Sequence, residues 1–281
     1  MNYQWYPGHM TKAVRMMKED IKLIDLVIEM LDARIPISSR NPDIDQLAAG
    51  KARMILLNKS DLASPSMNQE WIHYFKAQGI AAIEMNAKNG NGIKKIQEMI
   101  AIACSEKMER DRKRGILNRP IRAMVAGIPN VGKSTFINAY AKRNCTKTGN
   151  KPGVTKGKQW IRLGKGLELL DTPGILWPKF EDQATGMKLA FIGSMNDEIL
   201  YPEEVVADLV QYIQKNCHAF ILSEYGVEEG VNVYDAIEQI AIRRGCLKKE
   251  GIPDIQKASG MILDDFRSGK LGKYSLEIPN S

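Results

Sequence analysis

The sequence predicts an α/β fold: a mostly parallel sheet with helices on both faces, followed by a small all-helical region. Three observations lead there. Short apolar runs, at residues 26–31, 53–57, 80–85 and 121–126, alternate with longer helical patterns, as in βαβ units around a parallel sheet. One of these runs leads into Gly127-Ile-Pro-Asn-Val-Gly-Lys-Ser-Thr135, and a helical stretch follows it. Beyond about residue 175 the alternation stops and only helical patterns remain.

In chain order, Tyr3, Trp5, Tyr6 and His9 cluster around Pro7-Gly8. Thr11 is placed to cap a basic helix through about Lys22, carrying Lys12, Arg15, Lys18 and Lys22. Leu26-Val-Ile-Glu-Met-Leu31 reads as a strand, ended by Asp32-Ala-Arg-Ile-Pro36; a short helix around Ile44 to Ala49 follows. Residues 65–78 read as a helix with Pro65 in its first turn. Residues 80–85 form the next strand, and one long helix is expected from Gly92 to about Arg114, ending in the basic run Lys107-Met-Glu-Arg-Asp-Arg-Lys-Arg114. After residues 121–141, the polar stretch 143–160 looks like a mobile switch, and residues 161–163 and 167–170 form a hairpin. Helices are expected at 187–191, from Pro202, at 233–243 and at 253–267.

The pattern at 127–135 is G-x-x-x-x-G-K-[ST], a phosphate-binding loop. Backbone amides of Asn130, Val131, Gly132, Lys133, Ser134 and Thr135 and the helix dipole would wrap a polyphosphate. Lys133 would reach the β/γ-phosphates and Ser134 would ligate Mg²⁺. Asp171-Thr-Pro-Gly174 follows an apolar run, where a carboxylate holds Mg²⁺ directly or through water and the Gly174 amide senses a γ-phosphate. Asn58-Lys-Ser-Asp61 follows another strand. Asp61 suits the paired N–H donors of guanine, which adenine lacks. Asn58 could bond the far edge of the base, and the Lys59 stem could lie along its face. Asn86-Ala-Lys88 would then offer the Ala87 amide to guanine O6.

These motifs resemble those of the translation-factor class of P-loop GTPases, with one difference. Asn58–Asp61 and Asn86–Lys88 precede Gly127–Thr135 and Asp171–Gly174, the reverse of the usual order. That order, with Trp5-Tyr-Pro-Gly-His-Met10, is similar to the circularly permuted GTPases that serve bacterial ribosome biogenesis. Permutation is physically reasonable because domain termini often lie close together. The resemblance implies a Ras-like sheet in a permuted G domain over residues 1–178, with an N-terminal extension at 1–13, and a helical RNA-binding domain over 179–281. It implies GTP hydrolysis, GTP/GDP as ligands, the large ribosomal subunit precursor and its rRNA as partners, and no DNA or membrane. A GTP-dependent factor acting on another RNP or tRNA with little turnover is the alternative.

Within that resemblance Thr155 is the candidate to close on Mg²⁺ and the γ-phosphate, with Thr146 and Thr148 as rivals. Ile175 stands where Ras-like enzymes carry a water-orienting Gln, so intrinsic turnover is expected to be low. His9 is the candidate to supply that role on the ribosome. Asn130 is the candidate for a K⁺ site. Arg243, Arg244, Lys248, Lys249, Arg267, Lys270 and Lys273 are candidate RNA contacts.

Composition agrees with this reading. The 281 residues carry 40 Lys and Arg against 33 Asp and Glu, a formal net charge of +7, which fits a polyanionic partner. The N-terminus has neither signal- nor transit-peptide character, and a cytoplasmic location is expected. Cys104, Cys145, Cys217 and Cys246 lack metal-ligand spacing, and His218 beside Cys217 has no further partners in the pattern.

Overall fold

The computed structural model describes residues 8–116, 119–143, 145–146, 159–163, 166–177, 180, 182–197 and 200–279, apart from the side chain of His9. Among these, residues 180–276 form one compact unit, and residues 8–177 with 277–279 form another.

The larger unit is built on one six-stranded sheet. Its strands are β1 (Leu26–Asp32), β2 (Ala52–Asn58), β3 (Ala81–Glu84), β4 (Ile121–Gly127), β5 (Gln159–Leu163) and β6 (Leu167–Asp171). The spatial order is β3-β2-β1-β4-β6-β5, parallel throughout except for β5. Every residue of β1 is buried. Such a strand is covered on both faces, and so it reads as a continuous apolar run instead of an alternating one. Leu31, Ile55 and Leu57 join Trp71 and Phe75 of α3 (Pro65–Ala77) in one cluster. Side chains alternate across a strand, so Met30, Met54 and Leu56 point to the opposite face, and all three are fully buried as well.

Helix α1 spans Gly8–Asp20. It begins before Thr11, which sits inside the helix and does not cap it. Helix α2 (Asp43–Leu47) follows β1. The expected long helix after Gly92 is three pieces: a 3-10 turn at Ile93–Lys95, α4 (Ile96–Ala103) and α5 (Ser105–Lys113). The break falls at Cys104, whose φ of −101° and ψ of 9° leave the helical region and whose side chain is fully buried. On the far side of that bend Lys107 meets Asp25 at 3.6 Å. Helix α6 (Lys133–Ala141) follows β4.

The smaller unit holds α7 (Gln183–Phe191), α8 (Pro202–Cys217), α9 (Val233–Arg243) and α10 (Ile255–Ser268). Pro202, Glu203 and Glu204 start α8 with the geometry and charge that a helix N-terminus favours. Asn232 and Asp254 cap α9 and α10 by accepting from the amides of Tyr234 and Lys257. The apolar stripes meet through Leu209, Ile213, Ile237, Ile240, Ile262 and Phe266, all buried. No helix among the described residues is long and apolar enough to cross a membrane.

Candidate nucleotide-binding site

Parallel register brings the motifs to one edge of the sheet. Met30 pairs with Gly127, Asp32 with Asn58, and Val125 with Asp171. Asp32, Asn58, Gly127 and Asp171 thus stand at the carboxyl ends of their strands, outside which open α/β sheets bind ligands.

The turn from β4 into α6 is possible only because of its backbone. Gly127, Asn130 and Gly132 have φ of 157°, 58° and 103°. Asn tolerates the left-handed region better than other residues with a side chain. A Cβ at Gly127 would lie 2.7 Å from the Met30 carbonyl oxygen, and one at Gly132 would lie 2.4 Å from Asn58 Nδ2. The Lys133 ammonium is buried and donates to the carbonyls of Gly127 (3.1 Å) and Ile128 (2.9 Å). Burial lowers its pKa to about 8, although nearby Asp171 pulls the other way. The loop thus holds its lysine folded inward, on acceptors that phosphate oxygens could replace.

Asp171 closes the other side. It is buried, and Ser134 Oγ donates to its Oδ2 at 3.3 Å. Its Oδ1 has no hydrogen-bond partner among the described residues. Burial raises this carboxyl group's pKa, while Lys133, Ser134 and the Thr172 amide act against the rise. An orphaned buried carboxylate oxygen beside a hydroxyl fits Mg²⁺, which takes few protein oxygens and completes its shell with water and phosphate. The Thr172 hydroxyl donates to Val125 O at 2.7 Å, and the Ile175 amide to Gly127 O at 3.3 Å. These bonds pin Thr172-Pro-Gly174 against the phosphate loop. A Cβ on Gly174 would lie 2.7 Å from the Pro129 backbone and 3.0 Å from Lys133 Nζ. Ile175 is buried.

Asn58 joins three of the motifs. Its amide donates to Val131 O at 2.7 Å, and its Oδ1 accepts from the Ala87 amide at 2.9 Å. One amide hydrogen therefore remains for a base. The Ala87 amide, expected at guanine O6, is taken up by Asn58 in this structure, because both groups are buried and each needs a partner. Asn86 Oδ1 accepts from the amides of Lys88 and Asn89 and shapes the turn. Lys59 is left-handed, with φ of 58°, and turns the chain into a 3-10 turn at Ser60–Leu62. The Ser60 amide donates to Met85 O at 3.2 Å. Asp61 is exposed at this edge.

Asp32 and Arg34 were not singled out by sequence. Asp32 is fully buried and accepts from Arg34 Nε and Nη2, both at 2.9 Å, while Lys59 Nζ stands 3.0 Å from its Oδ2. Burial alone would raise this carboxyl's pKa, but Arg34 and Lys59 overcome it and hold it well below the usual range. The Asp32 amide donates to Ser39 Oγ at 3.0 Å. The guanine-motif lysine is thus tethered from the neighbouring strand. The available signal was an Asp-x-Arg directly after a fully apolar strand, since a buried carboxylate requires a cation.

Thr155 and Thr148 lie outside the described residues, as does the His9 side chain. Thr146, a rival to Thr155, donates to Ser134 O and Asn138 Oδ1, both at 3.2 Å. Two of the expected RNA contacts make hydrogen bonds within the helical unit. Arg267 donates to the carbonyls of Phe191 and Ala190 at the end of α7 and pairs with both oxygens of Asp197. Arg243 donates to the carbonyls of Tyr225 and Gly226. In both, the guanidinium satisfies carbonyls that end a helix; Arg267 is half-buried, whereas Arg243 stays exposed. Arg244 stands 5.1 Å over the Tyr225 ring, and Lys270 pairs with Asp265 at 2.6 Å. Lys248 and Lys249 are exposed.

A family model described as "50S ribosome-binding GTPase" matches residues 122–225. The chain is 47% identical to the protein named Ribosome biogenesis GTPase A of Bacillus cereus, over 99% of this chain and 95% of that one. Its identity to the Thermotoga maritima protein of the same name is 33%, over 98% and 94%. It is 32% identical to Mitochondrial ribosome-associated GTPase 1 of Xenopus tropicalis, over 97% and 94%. A crystal structure of GNP-bound YlqF from T. maritima superposes with a TM-score of 0.70 at 29% identity, covering 96% of this chain and 99% of that one.

Proposed function

The chain belongs to the ribosome biogenesis GTPase A family, and from that premise we propose that its GTP form binds the maturing large ribosomal subunit and leaves on hydrolysis. It is a GTPase that acts in ribosome assembly. The observation that carries the nucleotide reading is the Asn58 bridge, which joins the guanine motif to the phosphate loop and to the Asn86–Lys88 turn. Residues 1–178 are read as the G domain and 179–281 as the helical domain that contacts rRNA.

Lys133 leaves the Gly127 and Ile128 carbonyls for the β/γ-phosphate oxygens, and the amides of Asn130 to Thr135 surround the phosphates. Asp61 accepts the guanine N–H pair, and the Lys59 stem covers the base face. Ser134 and Asp171 would hold Mg²⁺, with Thr155 as the further candidate ligand; the ion would supply charge neutralisation of the polyphosphate. Asn130 is read as a K⁺ ligand, where a second cation would take part of the charge an arginine finger bears elsewhere. Buried Ile175 cannot orient water, so turnover is slow until a group such as His9 is brought up on the ribosome.

The test is co-sedimentation of the protein with large-subunit precursors, loaded with a non-hydrolysable GTP analogue or with GDP. Retention only in the analogue form is expected, and equal retention overturns the switch. Turnover in KCl above that in NaCl at equal ionic strength supports the K⁺ reading, and equal rates remove it. His9→Ala should lower particle-stimulated hydrolysis with GTP affinity kept within about threefold; unchanged stimulation removes His9 from the mechanism.

A further inference from the structure

We propose that the exposed face of α1 and of the 3-10 turn that follows it (Ile21–Leu23) is an RNA-binding site, taking the phosphates of one strand along Lys12, Arg15, Lys18 and Lys22. The proposal deepens the ribosomal reading above and rests on it. All four side chains are exposed. None has a hydrogen bond or ion pair among the described residues, unlike Arg243, Arg267 and Lys270 in the helical unit.

The geometry is that of a presented surface. At 3.6 residues per turn, the three cations of α1, Lys12, Arg15 and Lys18, fall within an arc of roughly 120°, and Lys22 follows in the 3-10 turn. Met10, Ala13 and Met17 lie on the opposite side and are buried, at 0%, 3% and 4% exposure. The helix is therefore fixed by its apolar stripe, and its cations are held outward on a rigid support. Lys12, Arg15 and Lys18 are spaced by about 4.5 Å along the axis of α1, a repeat that a sugar–phosphate backbone can follow. Glu19 is the one acid on this face, so the four cations leave a net of +3. A lipid surface fits less well, because an interfacial helix needs its apolar side free and here that side is already covered. Just past the helix end, Asp25 takes Lys107 of α5 at 3.6 Å. Helix α5 also carries Arg110, Arg112 and Lys113, all exposed.

The experiment compares the full chain with the quadruple variant Lys12→Gln, Arg15→Gln, Lys18→Gln and Lys22→Gln. The probe is 23S rRNA transcribed in vitro, titrated from 50 to 300 mM KCl. Four lost phosphate contacts should reduce the slope of log K against log salt by about 3 and weaken binding at least about tenfold. Lys248→Gln with Lys249→Gln serves as a comparator of equal chemistry in the helical unit and should change the slope by about half as much at most. Basal GTP hydrolysis should be unchanged in the quadruple variant, since none of these residues belongs to the nucleotide site. An unchanged slope with intact wild-type binding overturns the α1 site and leaves the ribosomal reading standing. Failure of the wild type to bind rRNA overturns both. Binding of the wild type to phosphatidylserine vesicles but not to rRNA, lost in the variant, overturns the RNA assignment in favour of a lipid surface.

Discussion

Replacing Asn58 should damage the nucleotide site and the apo fold together. Asn58 is 3% exposed, and its two bonds join Val131 to Ala87 across three loops. Asn58→Ala removes both and strands a buried carbonyl and a buried amide. Each net hydrogen bond contributes about 1 kcal/mol, and each stranded group costs about 1–3 kcal/mol. Neighbouring water can relieve part of the second cost, so a loss of about 2–4 kcal/mol is expected. For a unit of this size that is a drop in apo melting temperature of roughly 4–16 °C. Asn58→Asp is the sharper version. It keeps the acceptor for Ala87 but turns a carboxylate oxygen toward the Val131 carbonyl, now 2.7 Å from the amide. Repulsion there should displace Val131 and Gly132 and lower GDP affinity by about a hundredfold or more. Thermal melts without nucleotide and calorimetric GDP titration read the two effects separately. An apo melting point within 1 °C of wild type in both variants would refute the keystone role. So would Asn58→Asp binding GDP normally.

Other outcomes follow from the same geometry. Gly174→Ala cannot place its Cβ 2.7 Å from the Pro129 backbone, so the Thr172–Gly174 segment should lift from the phosphate loop. Single-turnover GTP hydrolysis should fall more than about tenfold while GDP binding stays within about threefold, and an unchanged rate defeats the steric argument. Lys133 has a pKa of about 8 in the free protein, and bound phosphates favour its charged form. Nucleotide affinity should therefore be highest below pH 8 and fall as pH rises above it, by up to about tenfold per unit. Calorimetry at pH 9 in buffers of different ionisation enthalpy should show uptake of nearly one proton, absent in Lys133→Arg. Asp32→Asn weakens a buried ion cluster, a change that costs about 3–5 kcal/mol when a partner is removed outright. Both stability and GDP affinity should drop, and a Lys59→Met background should abolish the affinity part of the effect. Arg267→Gln should destabilise the helical unit by about 1–3 kcal/mol and leave rRNA affinity unchanged; a selective loss of RNA binding would return Arg267 to the interface.

The motifs could be read in the chain because each is a short run whose chemistry is local. A strand, a glycine turn and a lysine at a helix start encode a phosphate loop whatever surrounds them, and buried parallel strands announce themselves as unbroken apolar runs. The same locality explains what was misread. Continuous helical propensity from Gly92 to Arg114 hides the bend at Cys104, which is fully buried. A basic residue on a helix looks alike in sequence whether or not it caps a neighbour, so the half-buried Arg267, bonded to the end of α7, was indistinguishable from the exposed Lys248.

By itself, then, the amino-acid order determined the α/β class and the positions of the four motifs along the chain. Tertiary structure alone decided how those motifs meet: that Asn58 spends its side chain on Val131 and Ala87, that Asp32 reaches from the next strand to hold Lys59, and which cations remain unspent on the surface. The reason is that hydrogen-bond and ion-pair partners are chosen by proximity in space. Residues 58 and 131 are neighbours only after β2 and β4 have aligned their strand ends on either side of β1.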